Sequence, residues 1–413
     1  SRRLTPSSSV LTARNTLFSS PGVRTLQYVL SRPLATTLYC DPASANAKIV
    51  FEKMQVQFAS TPQDANVLWM RRGYTDALQN LAPHQAMNHL PNERALIDKS
   101  HLARGLQRLP ESLPGAALPL DDFYPQTFCL ETATEVDQFR AVVNAEPKGA
   151  PWIVKPADLS KGRGIKIFDH PKAVTAWLDQ YEAQRRQDPK ASTFIAQRYL
   201  TNPLLLNHRK SEIRLCFLVL TLSPLRVLLC NEGTVRLNTL PFELGQWDNP
   251  LIHITNVYQQ KKHPNYDPDA VLKWGFSDLE AHLVATGQAE PDFIAQQLRP
   301  KLKAILRHTL RATQTVLTQA PPQGSCFALF GADIILDAAL NPWLTEVQKG
   351  PGLSLNDAVK RAVLPAMLAE AIALAEEARF KTLNQQSMAK LQAQSNFEWV
   401  INDDPAAVAE SGP

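Results

Sequence analysis

The longest apolar stretches of this chain have the length of a β-strand, and the clearest of them runs from Leu215 to Leu222. A helix that crosses a membrane needs about 20 consecutive apolar residues, so the sequence predicts no membrane span. Hydrophobic residues nevertheless make up 44% of the 413 residues. Such a chain can bury a full core and should form about two or three packed units. We therefore expect a soluble protein with several short buried strands.

Apolar segments of strand length alternate with segments of helical spacing, which predicts mixed α and β structure. Strands are predicted at residues 67–70, 153–155, 164–168, 194–199, 213–222, 226–230, 330–336 and 343–347. Helices are predicted from residue 98, over 171–185 and over 358–379, the last interrupted by Pro365. Residues 110–120 contain three prolines and a glycine and are predicted to form a loop.

The charge and the cysteines exclude several classes of protein. Lys and Arg number 43 against 39 Asp and Glu, a net charge of +4 that is too small for a dedicated nucleic-acid binder. The five cysteines are scattered and lack a C-x-x-C pair, so neither a disulfide framework nor a zinc site is predicted. A reducing compartment, and hence the cytoplasm, is the expected location.

The two ends differ in composition from the middle. Residues 1–40 contain five arginines but no Asp or Glu, which is typical either of an organelle transit peptide or of a basic lead-in. Residues 381–413 are rich in Gln, Ser and Ala, which predicts a polar tail with little to bury.

A lysine and a glycine-containing loop form the first candidate site. Lys155 ends an apolar strand, and the sequence S-K-G-R-G follows at residues 160–164. Glycines let backbone N–H groups approach an anion, and a lysine held by a strand adds a point charge. This pattern predicts a phosphate clamp. The alternative is a surface hairpin with incidental basic residues, because a G-x-G pattern is common.

Two carboxylates form the second candidate site. If a turn at residues 337–341 joins the two flanking strands, Asp333 and Glu346 lie side by side on one face. Together with the nearby amide of Gln348 they offer the hard oxygen ligands that Mg²⁺ prefers. The alternative is a pair of strand-edge acids that face solvent.

Alternating charges form the third candidate site. Strand periodicity places Lys210, Glu212 and Arg214 on one face. With Arg236 they would form the electrostatic wall of a nucleotide pocket, in which guanidinium groups hold phosphate or carboxylate oxygens. The alternative is a charged face in contact with water.

The order of these segments is more specific than any one of them. The chain contains, in this order, W-I-V-K-P, K-G-R-G-I, Q-R-Y-L, H-R-K-S-E-I-R, G-T-V-R, H-I-T-N, F-G-A-D and W-L-T-E-V-Q. This series resembles the tubulin–tyrosine ligase-like family of ATP-grasp enzymes. Residues 88–92, N-H-L-P-N, and 99–104, K-S-H-L-A-R, look like that family's N-H-F-P-G and R-K-D-x-L-x-x-N segments. The resemblance extends from about residue 80 to about residue 375.

The resemblance implies an ATP-grasp fold of the α+β (α/β) class, in which a nucleotide lies between two α+β lobes. The expected divisions are a basic lead-in at 1–40, an N-terminal α/β domain at 41–95, a central lobe at 96–196, a C-terminal lobe at 197–380 and the polar tail at 381–413. Members of the family use Mg-ATP to join an amino acid to a protein. A carboxylate attacks the γ-phosphate to give an acyl phosphate, and an amine then displaces the phosphate.

The resemblance also assigns roles to individual residues. The residues that would contact the ATP phosphates are Lys99, Lys155, Ser160, Lys161, Gly162 and Gly164. The adenine would lie against Gln197, Tyr199 and Leu200, and the rest of the nucleotide pocket would include Lys210 and Glu212. Catalytic roles would fall to Arg214 near the γ-phosphate, to Arg236 on the α-carboxylate of the incoming amino acid, and to Thr255 and Asn256 near the reacting centre. The Mg²⁺ ligands would be Asp333, Glu346 and Gln348.

Three departures from the family pattern leave alternatives open. Glu212 and Gln348 each carry one methylene more than the family's Asp and Asn, and residues 348–354 read Q-K-G-P-G-L-S instead of N-x-S-P-S-L-S. Mg²⁺ demands near-octahedral placement, so longer ligands alter the site. One alternative is an impaired relative that binds ATP or the cytoskeleton. Another is an ATP-grasp ligase with a non-tubulin acceptor.

The resemblance also implies substrates and partners. Glutamate is the first choice of amino acid, because the N-H-L-P segment is closer to the glutamate-adding members. Tubulin or microtubules are the first choice of protein acceptor. We expect a monomer of the cytoplasm, associated with the cytoskeleton, with no nucleic-acid partner.

Overall fold

The computed structural model describes residues 36–404, apart from residues 55, 109–117, 147–149, 263, 265, 267–271, 320–321, 351 and 356. Most of the predicted lead-in and most of the predicted loop at 110–120 therefore lie outside the described residues. The strands are β1 Thr37–Cys40, β2 Gln57–Phe58, β3 Val67–Trp69, β4 Ala86–Met87, β5 Thr127–Cys129, β6 Trp152–Pro156, β7 Lys166–Phe168, β8 Phe194–Arg198, β9 Leu205–Leu206, β10 Arg209–Leu222, β11 Leu225–Leu237, β12 Lys273–Trp274, β13 Ser325–Cys326, β14 Ala328–Leu336, β15 Pro342–Lys349 and β16 Phe397–Asn402. The helices are α1 Ala45–Lys53, α2 Tyr74–Gln79, α3 Arg94–Ile97, α4 Lys99–Arg108, α5 Ala133–Ala145, α6 Pro171–Gln187, α7 Pro250–His253, α8 Val257–Gln260, α9 Phe276–Ala285, α10 Arg299–Leu317 and α11 Ala358–Leu383.

A parallel sheet near the N-terminus has the strand order β13-β4-β3-β1-β2. Two of its strands come from outside the predicted N-terminal domain at 41–95. The expectation of a lead-in up to residue 40 is wrong for β1, because Leu38 is fully buried in the sheet. At the other edge, Ser325 pairs with Ala86, so a segment from the predicted C-terminal lobe at 197–380 completes the sheet.

An antiparallel sheet with the order β5-β8-β6-β7 forms a second unit. Helices α5 and α6 cover one face, where Trp152 of β6 packs in a core with Phe139 and Leu178. Helix α5 begins at a capping box in which Thr132 and Glu135 satisfy each other's backbone N–H groups. This sheet presents the end of β6 and the glycine loop, residues 160–164, to the rest of the molecule.

The largest sheet has the order β12-β11-β10-β14-β15, with β16 added to β11 and β9 added to β10. The apolar run in β10 is continuous because both faces are buried. Leu215 and Phe217 pack in a core with Leu302 of α10, on one face. Cys216 and Leu218 pack in the core that contains α11, on the other face. The charged residues at 210, 212 and 214 continue this second face, by the two-residue period of the strand.

The C-terminal segment corrects the expectation of a polar tail at 381–413. Helix α11 extends to Leu383, and β16 then pairs antiparallel with β11. Phe397, Val400 and Ile401 are at most 3% exposed, so a short apolar stretch within a polar region supplies a buried strand. The overall composition of the segment hides this stretch. Residues 405–413 lie outside the described part of the chain.

The expected interruption at Pro365 is also absent, because α11 continues through this residue. A proline inside a helix removes one hydrogen bond and crowds the preceding turn. The following turns are deeply buried, with Leu368, Ile372 and Leu374 fully inaccessible, so tertiary packing outweighs that cost. Among the described residues, no helix is both long and apolar enough to span a bilayer.

Candidate active site

A cavity lies between the four-stranded sheet and the largest sheet. Its walls are β6 with the glycine loop, the start of β10, residues 253–256 and the β14–β15 hairpin. The cationic residues on its walls are Lys99, Lys155, Lys161, Arg163 and Lys210, and the carboxylates are Glu212, Asp333 and Glu346. Ser160, Gly162, Thr255 and Asn256 line it as well. This excess of positive charge in one cleft suits a polyanionic ligand.

Lys155 projects into the cleft from the end of β6. The side chain is 8% exposed, and its Nζ donates to Gln197 Oε1 at 2.8 Å. Gln197 in turn donates to Thr127 Oγ1 at 2.9 Å, so strands β5, β6 and β8 together fix the lysine. Burial lowers the pKa of Lys155 to about 8, and the nearby carboxylate of Glu346 opposes this effect. A buried cation without a full counter-charge favours an anionic ligand.

Lys99 and the glycine loop meet at the cleft entrance. Lys99 begins α4, and its Nζ donates to Leu159 O at 2.8 Å and lies 3.7 Å from Glu346 Oε2. Within the loop, Lys161, Gly162 and Gly164 all have positive φ. A Cβ at Gly164 would lie 2.9 Å from the Pro156 ring, so the loop folds back closely onto β6.

Lys210 forms a buried hydrogen-bond network with Tyr199 and His253. The Lys210 Nζ donates to Tyr199 Oη at 3.0 Å and to His253 O at 2.9 Å. Tyr199 Oη lies 3.0 Å from His253 Nδ1, and His253 Nε2 lies 2.9 Å from Gly245 O. Burial lowers the pKa of Lys210 to about 7. Because an ammonium group carries three donors, one remains for a ligand in the cleft.

The three predicted adenine-contacting residues do not line this cavity. Gln197 supports Lys155, and the Tyr199 hydroxyl supports Lys210. The Tyr199 backbone N–H donates to Pro151 O at 2.9 Å. Leu200 is half-buried directly after Tyr199. The structure therefore places Gln197 and Tyr199 behind the lysines that face the cleft.

Five predicted residues form a row of charged side chains across the largest sheet. Arg236 lies opposite Glu212, and Arg214 lies opposite Asp333 on the next pair of strands. Asp333 in turn lies opposite Glu346. The prediction that the charges of β10 share one face is confirmed, and the alternative of a solvated face is wrong, because Lys210 and Arg214 are at most 8% exposed.

Asp333 is the centre of this row. Arg214 donates to it through Nε and through Nη2, the latter at 2.8 Å, and Arg236 Nη2 lies 3.0 Å from Asp333 Oδ2. Burial acts to raise the pKa of Asp333, but the two arginines outweigh it and hold the pKa well below its usual range. The pKa of Glu212 is raised, by burial first and then by the charge of Asp333. The Nε of Arg236 is buried and has no hydrogen-bond partner in the described structure.

The predicted magnesium ligands meet on the β14–β15 hairpin. Asp333 is 2% exposed, so the alternative of solvent-facing acids is wrong for this residue. Gln348 Nε2 donates to Asp333 Oδ2 at 3.2 Å and also to Glu346. Rotating this amide by half a turn would present its oxygen instead, and two carboxylates with an amide oxygen fit Mg²⁺. No group of three His, Cys, Asp or Glu side chains in the described residues is arranged to hold a metal.

Thr255 and Asn256 enter the cleft just before α8. Thr255 Oγ1 donates to Glu212 Oε2, which links this segment to the charged row. Asn256 Oδ1 accepts from the Tyr258 backbone N–H at 2.9 Å and thereby caps α8. Its cap role fixes the backbone that carries both side chains.

Two residues of this region were missed by the sequence analysis. His253 completes the hydrogen-bond network behind Lys210, and Gln259 donates to the carbonyl groups of the glycine loop. The H-I-T-N motif included His253 in a signal, but nothing in the sequence indicates its contact with Tyr199. Gln259 has no sequence signal, because its partners are backbone atoms almost 100 positions away.

Comparison with known proteins places these features in a family. The profile described as the tubulin-tyrosine ligase family matches residues 77–385. A Bos taurus protein named probable tubulin polyglutamylase TTLL9 is 27% identical over 380 residues, which cover 84% of this chain and 78% of that protein.

Two Homo sapiens proteins are similar over shorter parts of their own length. The protein named tubulin polyglutamylase TTLL5 is 28% identical over 318 residues, covering 74% of this chain and 23% of that protein. The protein named probable tubulin polyglutamylase TTLL2 is 30% identical over 303 residues, covering 71% of this chain and 47% of that protein. Because the family profile spans most of the chain and includes every element of the cleft, this chain belongs to the tubulin-tyrosine ligase family.

Proposed function

We propose that this protein is an ATP-dependent ligase that attaches glutamate to tubulin through an amide bond. The observation that carries the proposal is the single cleft in which buried lysines, two arginines and three carboxylates converge. The similar proteins named tubulin polyglutamylases support the choice of glutamate and of tubulin. Such a role would place the protein in the cytoplasm, at the cytoskeleton.

Nucleotide binding would follow the ATP-grasp pattern. The four-stranded sheet would serve as the central lobe, corresponding to the expected 96–196, and the largest sheet as the lobe at 197–380. Lys99, Lys155 and the glycine loop would hold the phosphates, and Lys210 would contribute its remaining donor. Burial of Lys155 and Lys210 supports this placement, because phosphate oxygens would supply the counter-charge that these cations lack.

Mg²⁺ would be held by Asp333, Glu346 and Gln348. When bound there, it would neutralise phosphate charge and orient the transferring group. Arg214, which forks onto Asp333, would lie beside the γ-phosphate and the acyl phosphate.

The incoming glutamate would bind through Arg236. This arginine has a buried Nε without a partner, which gives it an unused donor for a carboxylate oxygen. Thr255 and Asn256 would lie by the amine that attacks the acyl phosphate. Glu212, whose pKa is raised by burial, would accept a proton from that amine and hold it near the reacting centre.

One observation favours a second candidate, an impaired relative that binds ATP or the cytoskeleton without turnover. Gln348 carries one methylene more than the Asn of the family pattern. Mg²⁺ demands near-octahedral placement, so the longer side chain alters the geometry of the metal site. The two candidates differ in turnover but not in nucleotide binding.

Incorporation of labelled amino acids into purified tubulin distinguishes them. Glutamate, glycine and tyrosine are tested separately with Mg-ATP, and the Glu346→Gln variant serves as the blank. ATP-dependent incorporation of glutamate above the blank supports the proposal, whereas incorporation of glycine or tyrosine alone would overturn the choice of amino acid. ATP binding without any incorporation favours the second candidate. Incorporation in a lysate but not into purified tubulin would identify another acceptor.

A further inference from the structure

The side chain of Gln259 is committed to the glycine loop. Its Nε2 donates to Lys161 O at 3.0 Å and to Gly162 O at 3.0 Å. Both hydrogens of one amide therefore bind two successive carbonyl groups. The residue is 6% exposed, so water does not readily replace these bonds.

The loop also packs closely on the segment around Gln259. Gly162 has a φ of +67°, and a Cβ at this position would lie 2.9 Å from Gln259 Cγ and 3.1 Å from Ile254 Cγ2. Glycine is therefore required both by the backbone conformation and by this close approach. The Lys161 Nζ lies 5.5 Å from the centre of the Tyr258 ring, which adds a contact on the outer side.

Gln259 thus joins two walls of the cleft. The glycine loop follows β6 in the four-stranded sheet, whereas Gln259 lies in α8, directly after Thr255 and Asn256. Thr255 is itself bonded to Glu212 of the largest sheet. A continuous set of contacts therefore leads from the loop through α8 to the charged row.

We propose that Gln259 is a positioning residue that holds the glycine loop closed over the cleft and couples it to the segment of Thr255 and Asn256. This proposal rests on the proposed function for its consequence, because the closed loop would cover the phosphates of the nucleotide. The two hydrogen bonds from Gln259 to the loop exist without a ligand, so this part of the proposal is testable without one. Loss of both hydrogen bonds should raise the population of the open loop about tenfold.

Limited trypsin digestion reports this opening directly. Lys161 and Arg163 are exposed cleavage sites within the loop. The test variant is Gln259→Met, which keeps an unbranched side chain of similar length but has no donor. The matched control is Gln260→Met. Gln260 is also buried, at 2% exposed, but it accepts from Thr239 N at 2.7 Å and donates to the carbonyl groups of Leu251 and Ile254.

We expect cleavage at these two sites to be about tenfold faster in Gln259→Met than in the wild type, because native-state proteolysis follows the open population. Wild-type cleavage rates in Gln259→Met would overturn the proposal. The proposal would also be overturned if cleavage were accelerated equally in Gln259→Met and Gln260→Met and the melting temperature fell equally in both. That result would indicate a general loss of packing. If Gln259→Met does not fold, Gln259→Glu provides the second test. Glutamate keeps the side-chain shape of glutamine but places a carboxylate oxygen, which cannot donate, against the two carbonyl groups.

ATP then separates this proposal from the proposed function. With Mg-ATP, we expect protection of the loop in the wild type and a KM for ATP about tenfold higher in Gln259→Met, with the KM for glutamate unchanged. Faster cleavage in the variant, without protection by ATP in either protein, would support the role of Gln259 in holding the loop closed. It would at the same time reject the proposed nucleotide site. An unchanged KM for ATP together with faster cleavage would show that closure of the loop does not affect nucleotide binding, and would overturn that part of the proposal.

Discussion

Asp333 and Glu346 lie directly opposite each other on two neighbouring antiparallel strands. Their environments differ although their positions match. Asp333 is paired with two arginines and is buried, whereas the Glu346 side chain is 23% exposed and lies 3.7 Å from Lys99 Nζ. Glu346 is therefore the carboxylate of this pair that is free to change partners when a cation enters the cleft.

Replacing Glu346 with Gln should reduce ligation at least about 100-fold, because it removes the charge of a proposed Mg²⁺ ligand without changing the side-chain volume. The fold should survive, since the residue is partly exposed. Amino-acid incorporation measures the loss, and the melting temperature provides the control. Full activity in this variant would contradict the assignment of Glu346 to the metal.

Replacing Gln348 with Asn should preserve or raise activity, because the shorter amide restores the length that the family pattern contains. The comparison variant is Gln348→Ala, which removes the amide and should lose about tenfold or more. Both are measured as activity against Mg²⁺ concentration. A large loss in Gln348→Asn would show instead that the site is built around the longer side chain.

Replacing Arg236 with Lys should raise the KM for glutamate about tenfold or more, because a lysine keeps the charge but loses the guanidinium fork. Glu212 and Asp333 keep a cationic partner in this variant, so the buried charges remain compensated. The KM for ATP should change little. Equal increases in both KM values would argue that Arg236 supports the whole cleft rather than the amino acid.

Nucleotide binding should weaken as the pH rises through about 7, because burial lowers the pKa of Lys210 to about 7 from an ordinary value of 10.5. ATP favours the charged form, so affinity should fall by up to about tenfold per pH unit above this value. Binding of a non-hydrolysable ATP analogue from pH 6 to pH 9 tests this dependence. In Lys210→Arg the side chain stays charged, so the decline should begin only near pH 8, where Lys155 loses its proton because burial lowers its pKa to about 8.

The free energy of unfolding of the ligand-free protein should change with pH in the opposite direction to nucleotide affinity. Between pH values of about 7 and 10.5 the unfolded chain binds a proton on Lys210 that the folded protein has lost. The free energy of unfolding should therefore rise with pH across this window through this group, and the penalty for burying the charge is fully present below it. Urea unfolding of the wild type and of Lys210→Met compares the two slopes. Parallel slopes would contradict the lowered pKa.

Local periodicity was sufficient to predict the placement of the charged side chains of β10 and of the β14–β15 hairpin. The two-residue period of a strand places Lys210, Glu212 and Arg214 on one face, and the short turn sets Asp333 opposite Glu346. These features depend only on neighbours along the chain or on one hairpin. The order of the motifs then indicated the family, which the comparison confirmed.

Contacts between distant segments could not be predicted in this way. The partners of Gln259 are backbone carbonyl groups, which carry no residue identity, and the contact of Tyr199 with Lys210 depends on how two sheets pack. Strand β16 was missed because its few apolar residues lie in a polar region. Its burial depends on the open edge of β11, which exists only once the sheet has formed.

Strand β16 has a consequence for the size of the folding unit. It lies beyond residue 385, where the family match ends, yet it closes the edge of the sheet that carries the charged row. Glu370, fully buried in α11, accepts the backbone N–H groups of Ser395, Asn396 and Phe397, and Asp404 pairs with Arg226. The folded unit that carries the charged row therefore extends at least to residue 404. A boundary drawn from the family resemblance would leave it with an unpaired edge and a buried carboxylate without donors.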